Sequence, residues 1–349
     1  MQYYGFSLVT PGEEGHAAAV AETLSFVELA DSLGLDGWFF AEHHGQPELS
    51  VSSTPHLLIA AAAQRTARIR LGTMVTVLPF HHPVHVAEEL RTLDVLSNGR
   101  LEAGFGRGHL RSEQALFGVD REKAAAMFDV SVDIITRLLA GETVDYDSSW
   151  WRGEAATAVP DGVQAHIPCW LTAVSDTSLE KAARLGMDCA TALLTRKVAD
   201  ERMETYRRHW DACHPRRPGS GRFAITATVA VSDSREEALA RVGKLIASRQ
   251  AHFGRAISEV SGTDDPPYAG HRATYEEFVS ATLTSLLDDG LLIAGSVDEC
   301  RQQVAQIRDR GLDTLICTFQ YAGVSAGDAR RSFELFMNDV VPFCEQTQP

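Results

Sequence analysis

Closely spaced cysteines are missing from this sequence of 349 residues. The six cysteines lie far apart and include no C-x-x-C pair: Cys169, Cys189, Cys213, Cys300, Cys317 and Cys344. Zinc sites and disulfide frameworks need closer or patterned spacing. We therefore expect reduced thiols, as in a cytoplasmic protein.

Long runs of one residue class are missing too. No apolar run reaches the ~18–20 residues that a membrane span needs, and the 32 basic residues form no long Lys/Arg run. The 47 acidic residues give the chain a net charge of −15, which disfavours binding to a phosphate backbone. Residues 1–6 carry no basic segment before the first strand pattern, so we expect no signal peptide. The expected partners include neither nucleic acid nor a membrane.

A strand pattern followed by a helical pattern occurs eight times along the chain. The predicted strands are residues 3–9, 37–41, 69–78, 100–105, 168–174, 188–194, 223–231 and 314–320. Eight such units favour an α/β fold, a single (β/α)8 TIM-type barrel over residues 1–349, rather than an open sheet. Two segments interrupt the pattern: an irregular or hairpin-like insertion at about 142–167, and a long loop with partial helix at about 255–290, before the last strand. Long loops in compact domains are often lids, and we expect one here.

Titratable residues directly follow the second predicted strand: Glu42, His43 and His44. Alternation along a strand puts Glu42 and His44 on one side and His43 on the other. Imidazole is the usual general acid or base near neutral pH, and a neighbouring carboxylate can fix its tautomer. Polar groups at the C-terminal ends of barrel strands form active sites. These three residues are therefore candidate catalytic residues, with an ordinary hydrogen-bonded loop histidine as the alternative.

Further histidines follow the third predicted strand, namely His81, His82 and His85. Their number raises the question of a metal site. Barrel metal sites usually combine a His-x-His pair with ligands from later strands, and neither feature occurs here. We expect no metal, and His82-Pro83 simply to open a helix.

Two segments suit a phosphate group. The run Gly104 to Gly108 places Arg107 among glycines, which let the backbone approach a ligand closely. Hydroxyl residues from Ser175 to Ser178 stand at a predicted helix start, where free N–H groups bind anions. Together they predict a phosphate site. A glycine-rich turn with a surface arginine, and an ordinary helix cap, are the alternatives.

In combination these segments resemble one family, the bacterial luciferase-like flavin-dependent monooxygenases, and especially the luciferase α subunit. The resemblance covers most of the chain in one order and is strongest over residues 40–118. The segments that carry it are residues 41–44 (AEHH), 72–75 (GTMV), 82–94, 97–100 (SNGR), 106–108 (GRG), 295–300 and 336–342.

The resemblance implies a barrel that binds reduced FMN, supplied by a separate flavin reductase. It also implies reaction with O2 through a C4a-(hydro)peroxyflavin, to hydroxylate or epoxidise a small organic substrate such as a secondary-metabolite intermediate. His43 is implied as the catalytic histidine, with Glu42 and His44 beside it. A homodimer formed through the second and third helices is implied as well.

The resemblance also implies flavin contacts. A non-prolyl cis peptide is implied at Met74–Val75, beneath the isoalloxazine ring. The implied phosphate contacts are Arg107, the His109 backbone, Ser175 and Ser178.

Two positions depart from the luciferase α subunit. Gly106 stands where that subunit has a reactive cysteine, and Val174 where it has an acidic residue before the phosphate serine. Light emission and an aldehyde substrate are therefore not implied for this chain. Two alternatives stay open: an F420-dependent oxidoreductase on the same barrel, and a flavin-binding protein without turnover. Glu42-His43-His44 favours the monooxygenases, because Asp-His is typical of many F420-dependent members.

Overall fold

The computed structural model describes residues 1–173, 175–260, 266–321 and 323–346. The strands in chain order are β1 (Gln2–Ser7), β2 (Gly37–Phe40), β3 (Arg70–Thr73), β4 (Thr76–Val77), β5 (Leu101–Gly106), β6 (Val144–Asp147), β7 (Arg152–Ala156), β8 (Cys169–Thr172), β9 (Asp188–Thr191), β10 (Phe223–Val231), β11 (Leu292–Gly295) and β12 (Thr314–Thr318). The helices are α1 (His16–Ser32), α2 (Pro55–Ala63), α3 (Pro83–Leu96), α4 (Arg111–Leu116), α5 (Ala124–Leu139), α6 (Asp176–Arg184), α7 (Arg196–Cys213), α8 (Arg235–Val260), α9 (Pro266–Ser280), α10 (Leu283–Asp289), α11 (Val297–Asp309), α12 (Ala326–Leu335) and α13 (Val341–Gln346).

Eight parallel strand positions close into a barrel, as predicted. The ring runs β1, β2, β3 with its continuation β4, β5, β8, β9, β10, β12 and back to β1. Each of the eight predicted strands overlaps one of these positions. The barrel strands are buried on both faces, as is usual for parallel sheets covered by helices. This is why they are recognisable in the sequence as nearly continuous apolar runs.

Aromatic side chains fill the barrel interior. Tyr4 stacks on Phe39 with ring centroids 4.9 Å apart, and Phe39 meets the edge of Trp170 at 5.7 Å. These side chains belong to an inner cluster that also contains Met74 and Ala224. The barrel is therefore a packed core, and a ligand site is expected only at its mouth.

An ionic network closes the N-terminal end of the barrel, around the buried carboxylate of Glu102. Four side chains donate hydrogen bonds to this carboxylate: Tyr4 (2.8 Å), Arg70 (2.5 Å), Arg222 (3.3 Å) and Trp170. Arg222 also pairs with Asp188 at 2.6 Å. Because this end lies opposite to the loops that carry function in such barrels, its contribution is to stability.

The insertion at residues 142–167 contains a hairpin, in which β6 and β7 pair in antiparallel fashion. Trp150 and Trp151 lie in the turn, and Trp151 approaches the ring of His82 at 6.3 Å. The hairpin thus packs beside the start of α3.

The segment at 255–290 is mostly helical, so the prediction of a long loop there was wrong. Helix α8 runs on to Val260, α9 and α10 follow, and only residues 261–265 lie outside the described part of the chain. Proline at the first positions of α9 is compatible with a helix start, and Thr282 caps α10 through a reciprocal bond with Ser285. The prediction also missed β11, a four-residue strand that pairs with the end of β10.

All six cysteines are free, as predicted. In the described part of the chain, no helix combines the length and the apolar composition that crossing a membrane requires.

Candidate active site

The predicted site residues gather along the C-terminal rim of the barrel. Residues 42–44 follow β2, residues 107–109 follow β5, and Ser175 follows β8. The rings of His43 and His109 lie edge to face with centroids 6.5 Å apart, which joins the loops after β2 and β5. Because β5 pairs directly with β8, the loops that follow these strands are neighbours too.

Glu42 is buried and fully engaged within the protein. Its Oε1 accepts hydrogen bonds from Nε2 of His44 at 2.8 Å and Nε2 of His81 at 2.7 Å, and its Oε2 accepts one from the Val77 backbone at 2.8 Å. Burial alone would raise the pKa of Glu42, but the bonds from the two histidines outweigh it and lower the pKa to about 2. Glu42 and His44 share one side of the chain, as the alternation predicts. Glu42 is therefore a carboxylate that holds two imidazoles in place.

His43 is oriented by a different carboxylate. Its Nδ1 lies 2.9 Å from Oε1 of Glu113, which also accepts the His44 backbone N–H at 3.0 Å. Glu113 is buried in the first turn of α4. No pattern in the sequence indicates Glu113, because α4 has only six residues. An ionised carboxylate only accepts hydrogen bonds, so Nδ1 of His43 carries the proton and Nε2 is left for another partner.

The His44 ring is packed against neighbouring side chains. Its ring packs edge-on against Phe117 at 4.6 Å and Phe80 at 5.8 Å, and these two phenyl rings stack on each other at 4.6 Å. With Glu42 on its other side, His44 has a fixed position. That His44 takes part in catalysis stays a prediction.

The Met74–Val75 peptide bond is cis, as the resemblance implies. This bond interrupts the third barrel strand where it passes β5. A Cβ atom on Gly104 would lie 2.0 Å from the Thr73 carbonyl oxygen, and one on Gly106 would lie 2.2 Å from Cγ2 of Val75. Glycine is therefore required at both positions, which explains why no cysteine side chain stands at position 106. That the peptide contacts a flavin stays a prediction.

The predicted phosphate residues lie on adjacent loops. Ser175 caps α6: its hydroxyl accepts the Ser178 N–H at 3.3 Å, and the Ser178 hydroxyl accepts the Ser175 N–H at 3.0 Å. Both hydroxyls thus lie at the positive end of the helix, where an anion is stabilised. The His109 carbonyl accepts a hydrogen bond from Arg121 at 3.3 Å, while Val174 lies outside the described residues. Contacts of this site with phosphate stay a prediction.

Metal ligands do not cluster in the described residues, where no group of three or more His, Cys, Asp or Glu side chains is arranged to hold an ion. The histidines near the rim face carboxylates instead. Nδ1 of His56, for example, lies 2.5 Å from Glu89, and Nε2 lies 3.1 Å from the Thr76 hydroxyl.

A closed barrel with titratable side chains at its C-terminal rim is an arrangement that enzymes of this fold share. The family model described as luciferase-like monooxygenase matches residues 1–314. The chain belongs to this family.

Two relatives match nearly the whole chain. Limonene 1,2-monooxygenase from Rhodococcus erythropolis is 28% identical over 336 residues, covering 93% of this chain and 81% of that protein. The 4-hydroxyprotoasukamycin monooxygenase from Streptomyces nodosus subsp. asukaensis is 30% identical over 337 residues, covering 91% and 85%. The family and these relatives place the chain among the monooxygenases, which are oxidoreductases.

Solved structures show the same fold. The monooxygenase RslO1 from Streptomyces bottropensis has a TM-score of 0.82 and 26% identity, over 98% of this chain and 99% of that one. The oxygenating constituent of 3,6-diketocamphane monooxygenase from Pseudomonas putida, solved with FMN, has a TM-score of 0.80 and 19% identity, over 98% of each chain. The F420-dependent tetrahydromethanopterin reductase from Methanopyrus kandleri has a TM-score of 0.71 and 16% identity, also over 98% of each. The last two show the likeness of fold alone, and one of them uses F420.

Proposed function

We propose that this protein is a cytoplasmic monooxygenase that uses reduced FMN and O2 to hydroxylate or epoxidise a small organic substrate, such as a secondary-metabolite intermediate. A separate flavin reductase would supply the reduced FMN. The observation that carries the proposal is the His43–Glu113 pair, 2.9 Å apart at the barrel rim, in a chain of the luciferase-like monooxygenase family.

The residues at the rim fit FMN. Arg107, the His109 backbone and the capped start of α6 at Ser175 and Ser178 would hold the phosphate, since helix starts and arginine both favour a dianion. The ring system would lie on the Met74–Val75 peptide, which the glycines of β5 allow to pass close to that strand. When bound, reduced FMN supplies the electrons that activate dioxygen.

His43 is the residue proposed to handle protons at the reacting atoms. With Nδ1 fixed by Glu113, the imidazole exchanges protons through Nε2 and keeps one orientation while doing so. Glu42 and His44 are proposed to act indirectly, through the position of His43. They hold the loop that carries His43, because the Glu42 carboxylate ties that loop to His81 and to the Val77 backbone.

The helices after β10 are proposed to exclude water from the mouth. Ile257 of α8 and Tyr275 of α9 pack with Leu110, which follows β5 on another part of the rim. Tyr275 also meets the ring of His109 at 5.8 Å. A cover of this kind protects reactive oxygen species from solvent.

The relatives support the choice of substrate class and cofactor. Limonene and 4-hydroxyprotoasukamycin, in the names of the two relatives, are organic molecules rather than macromolecules, and the Pseudomonas putida structure contains FMN. A homodimer through α2 and α3 is part of the proposal. It is supported by apolar side chains left exposed on these helices, Leu57 at 68% and Leu96 at 42%.

Two measurements test the function. Anaerobic titration with reduced FMN, oxidised FMN and F420 identifies the cofactor, and oxygen consumption with candidate small organic substrates, followed by mass spectrometry of the product, tests turnover. We expect FMN to bind in preference to F420 and oxygenated product to form. A preference for F420 with hydride transfer would establish the F420-dependent alternative. FMN binding without product for any substrate would favour the binding protein.

His43→Ala is the matched variant for turnover. Product formation should fall by about 10²–10⁴-fold, the usual contribution of acid–base catalysis, with FMN affinity unchanged. His85→Ala is the control, because this exposed histidine contacts only Glu89 on its own helix among the described residues. Unchanged turnover in His43→Ala would rule out the assigned role.

A further inference from the structure

Arg249 projects into the barrel mouth from α8. Its Nη1 donates a hydrogen bond to the Thr228 hydroxyl at 3.1 Å. Thr228 lies four residues after Ala224 on β10, and Ala224 belongs to the inner cluster with Tyr4 and Phe39. Since side chains two and four apart on a strand share one face, Thr228 points inward as well. The guanidinium therefore lies on the inner side of the wall, above the packed aromatic layer.

The helix that carries Arg249 crosses the mouth. Near the middle of α8, Leu245 packs with Ala230 of β10 and Leu292 of β11. Towards its other end, Ile257 packs with Leu110, which follows β5. Arg249 lies between these two contacts, so it belongs to the part of α8 that spans the mouth.

The second feature of Arg249 is the lack of a carboxylate partner among the described side chains. Among the residues whose side chains the structure describes, no carboxylate lies within 4.0 Å of the Arg249 guanidinium. Arg241, two turns earlier on the same helix, pairs with Asp328 at 2.9 Å. Burial lowers the pKa of Arg249 to about 10, against the opposing effect of Tyr321, so the group is still a cation at neutral pH. Arg249 keeps part of its surface exposed, and a partly desolvated cation of this kind is stabilised when an anion meets it.

We propose that Arg249 binds a carboxylate of the organic substrate. Nη1 is used by Thr228, while the other guanidinium N–H groups are left for a carboxylate, whose two oxygens match the planar fork. The inference rests on the proposed function, because it takes the mouth as the substrate site. In the ring of eight strand positions, β10 lies four positions from β3 and so opposite to it. A carboxylate on Arg249 would thus anchor the substrate across the mouth from the Met74–Val75 peptide, with the oxidised carbon in between.

The test uses benzoate and its neutral isostere benzamide as probes, titrated calorimetrically into the full-length protein. Wild type should bind benzoate about ten-fold or more tightly than benzamide. In Arg249→Met the ratio should fall to about two-fold or less, because only the charge-assisted bonds are lost. Arg241→Met is the control: it removes one positive charge from the same helix and should keep the wild-type ratio.

Several outcomes would overturn the inference. One is that the wild type shows no preference for benzoate or binds neither probe. Another is that Arg249→Met keeps the wild-type ratio of benzoate affinity to benzamide affinity. Should Arg249→Met not fold, Arg249→Lys keeps the charge without the fork, and it should weaken benzoate several-fold while leaving benzamide unchanged. Equal effects on both probes, or none on benzoate, would contradict the proposal. FMN titration of the same proteins distinguishes a failure of this inference from a failure of the proposed function. A protein that prefers benzoate but does not bind FMN would support the anion site and reject the flavin function.

Discussion

Nδ1 of His43 lies 2.9 Å from Oε1 of Glu113, a residue 70 positions further along the chain. Glu42, although adjacent to His43, bonds to His44 and His81 instead. Two different carboxylates therefore hold the neighbouring imidazoles, Glu113 that of His43 and Glu42 that of His44. One fixes the proposed catalytic imidazole, and the other fixes the loop beneath it.

Replacing Glu113 by glutamine should lower turnover without weakening FMN binding. The amide keeps the size of the side chain but removes the negative charge that stabilises a protonated His43, and its NH2 group can face Nδ1 as a donor, which favours the other tautomer. We expect product formation to fall by about ten-fold or more, and by less than the about 10²–10⁴-fold lost with the imidazole itself. Steady-state oxygenation, with FMN titration as the control, measures both. Equal losses of turnover and FMN affinity would instead indicate a collapsed site.

Glu42 should make the protein sensitive to acid. Its pKa of about 2, against an ordinary value of 4.5, corresponds to about 3 kcal/mol of stability. Since the pKa is lowered in the folded state, this contribution is complete above the ordinary value and is lost as pH falls through the folded value. Glu42→Gln lacks it. The difference in free energy of unfolding between wild type and variant should therefore shrink by about 3 kcal/mol between about pH 5 and about pH 2.

Urea denaturation at a series of pH values measures that difference. In the wild type, burial lowers the pKa of His81 less than the Glu42 bonds raise it. It is therefore protonated throughout the acid range in the wild type. A difference that stays constant from pH 5 downward would show that Glu42 is not held as an ionised acceptor.

The network around Glu102 should govern stability and leave the flavin site untouched. Glu102→Gln leaves Arg222 and Arg70 without their shared charge, and breaking a buried pair in this way costs about 3–5 kcal/mol. The control is Asp147→Asn, which breaks an exposed pair with Arg152 and should cost about 1 kcal/mol or less. Chemical denaturation measures both variants. A Glu102→Gln variant as stable as the control would contradict the role of the network.

The barrel was predictable because burial on two faces gives each strand a local apolar pattern in the sequence. Strand β2 is apolar throughout and β5 is buried along its whole length, and the polar run Glu42 to His44 begins where β2 ends. The helices at 255–290 were harder to predict, because Gly and Pro residues in that range favoured a loop. Two prolines at the start of α9 fit a first helical turn equally well, and only the packing decides between the two.

Partners that are distant in sequence were not predictable. The pairing of Glu113 with His43 depends on where the loop after β5 folds back, and a single carboxylate in a six-residue helix carries no pattern. Glu102 and Arg222 raise the same difficulty. Charged residues at strand ends are usually solvated, and nothing in the sequence indicates that these two turn inward to meet each other.

Ser175 should serve both the helix cap and FMN, and the chain offers a control that separates the two roles. Thr282 caps α10 with the same reciprocal geometry, accepting the Ser285 N–H at 3.1 Å, but it lies away from the proposed phosphate residues. Ser175→Ala and Thr282→Ala should each lose about 0.5–2 kcal/mol of stability through the lost cap. Only Ser175→Ala should weaken FMN, whereas riboflavin, which has no phosphate, should bind both variants like the wild type. Fluorescence titration with the two flavins measures this. Equal weakening of FMN and riboflavin in Ser175→Ala, or unchanged FMN affinity, would remove Ser175 from the phosphate site.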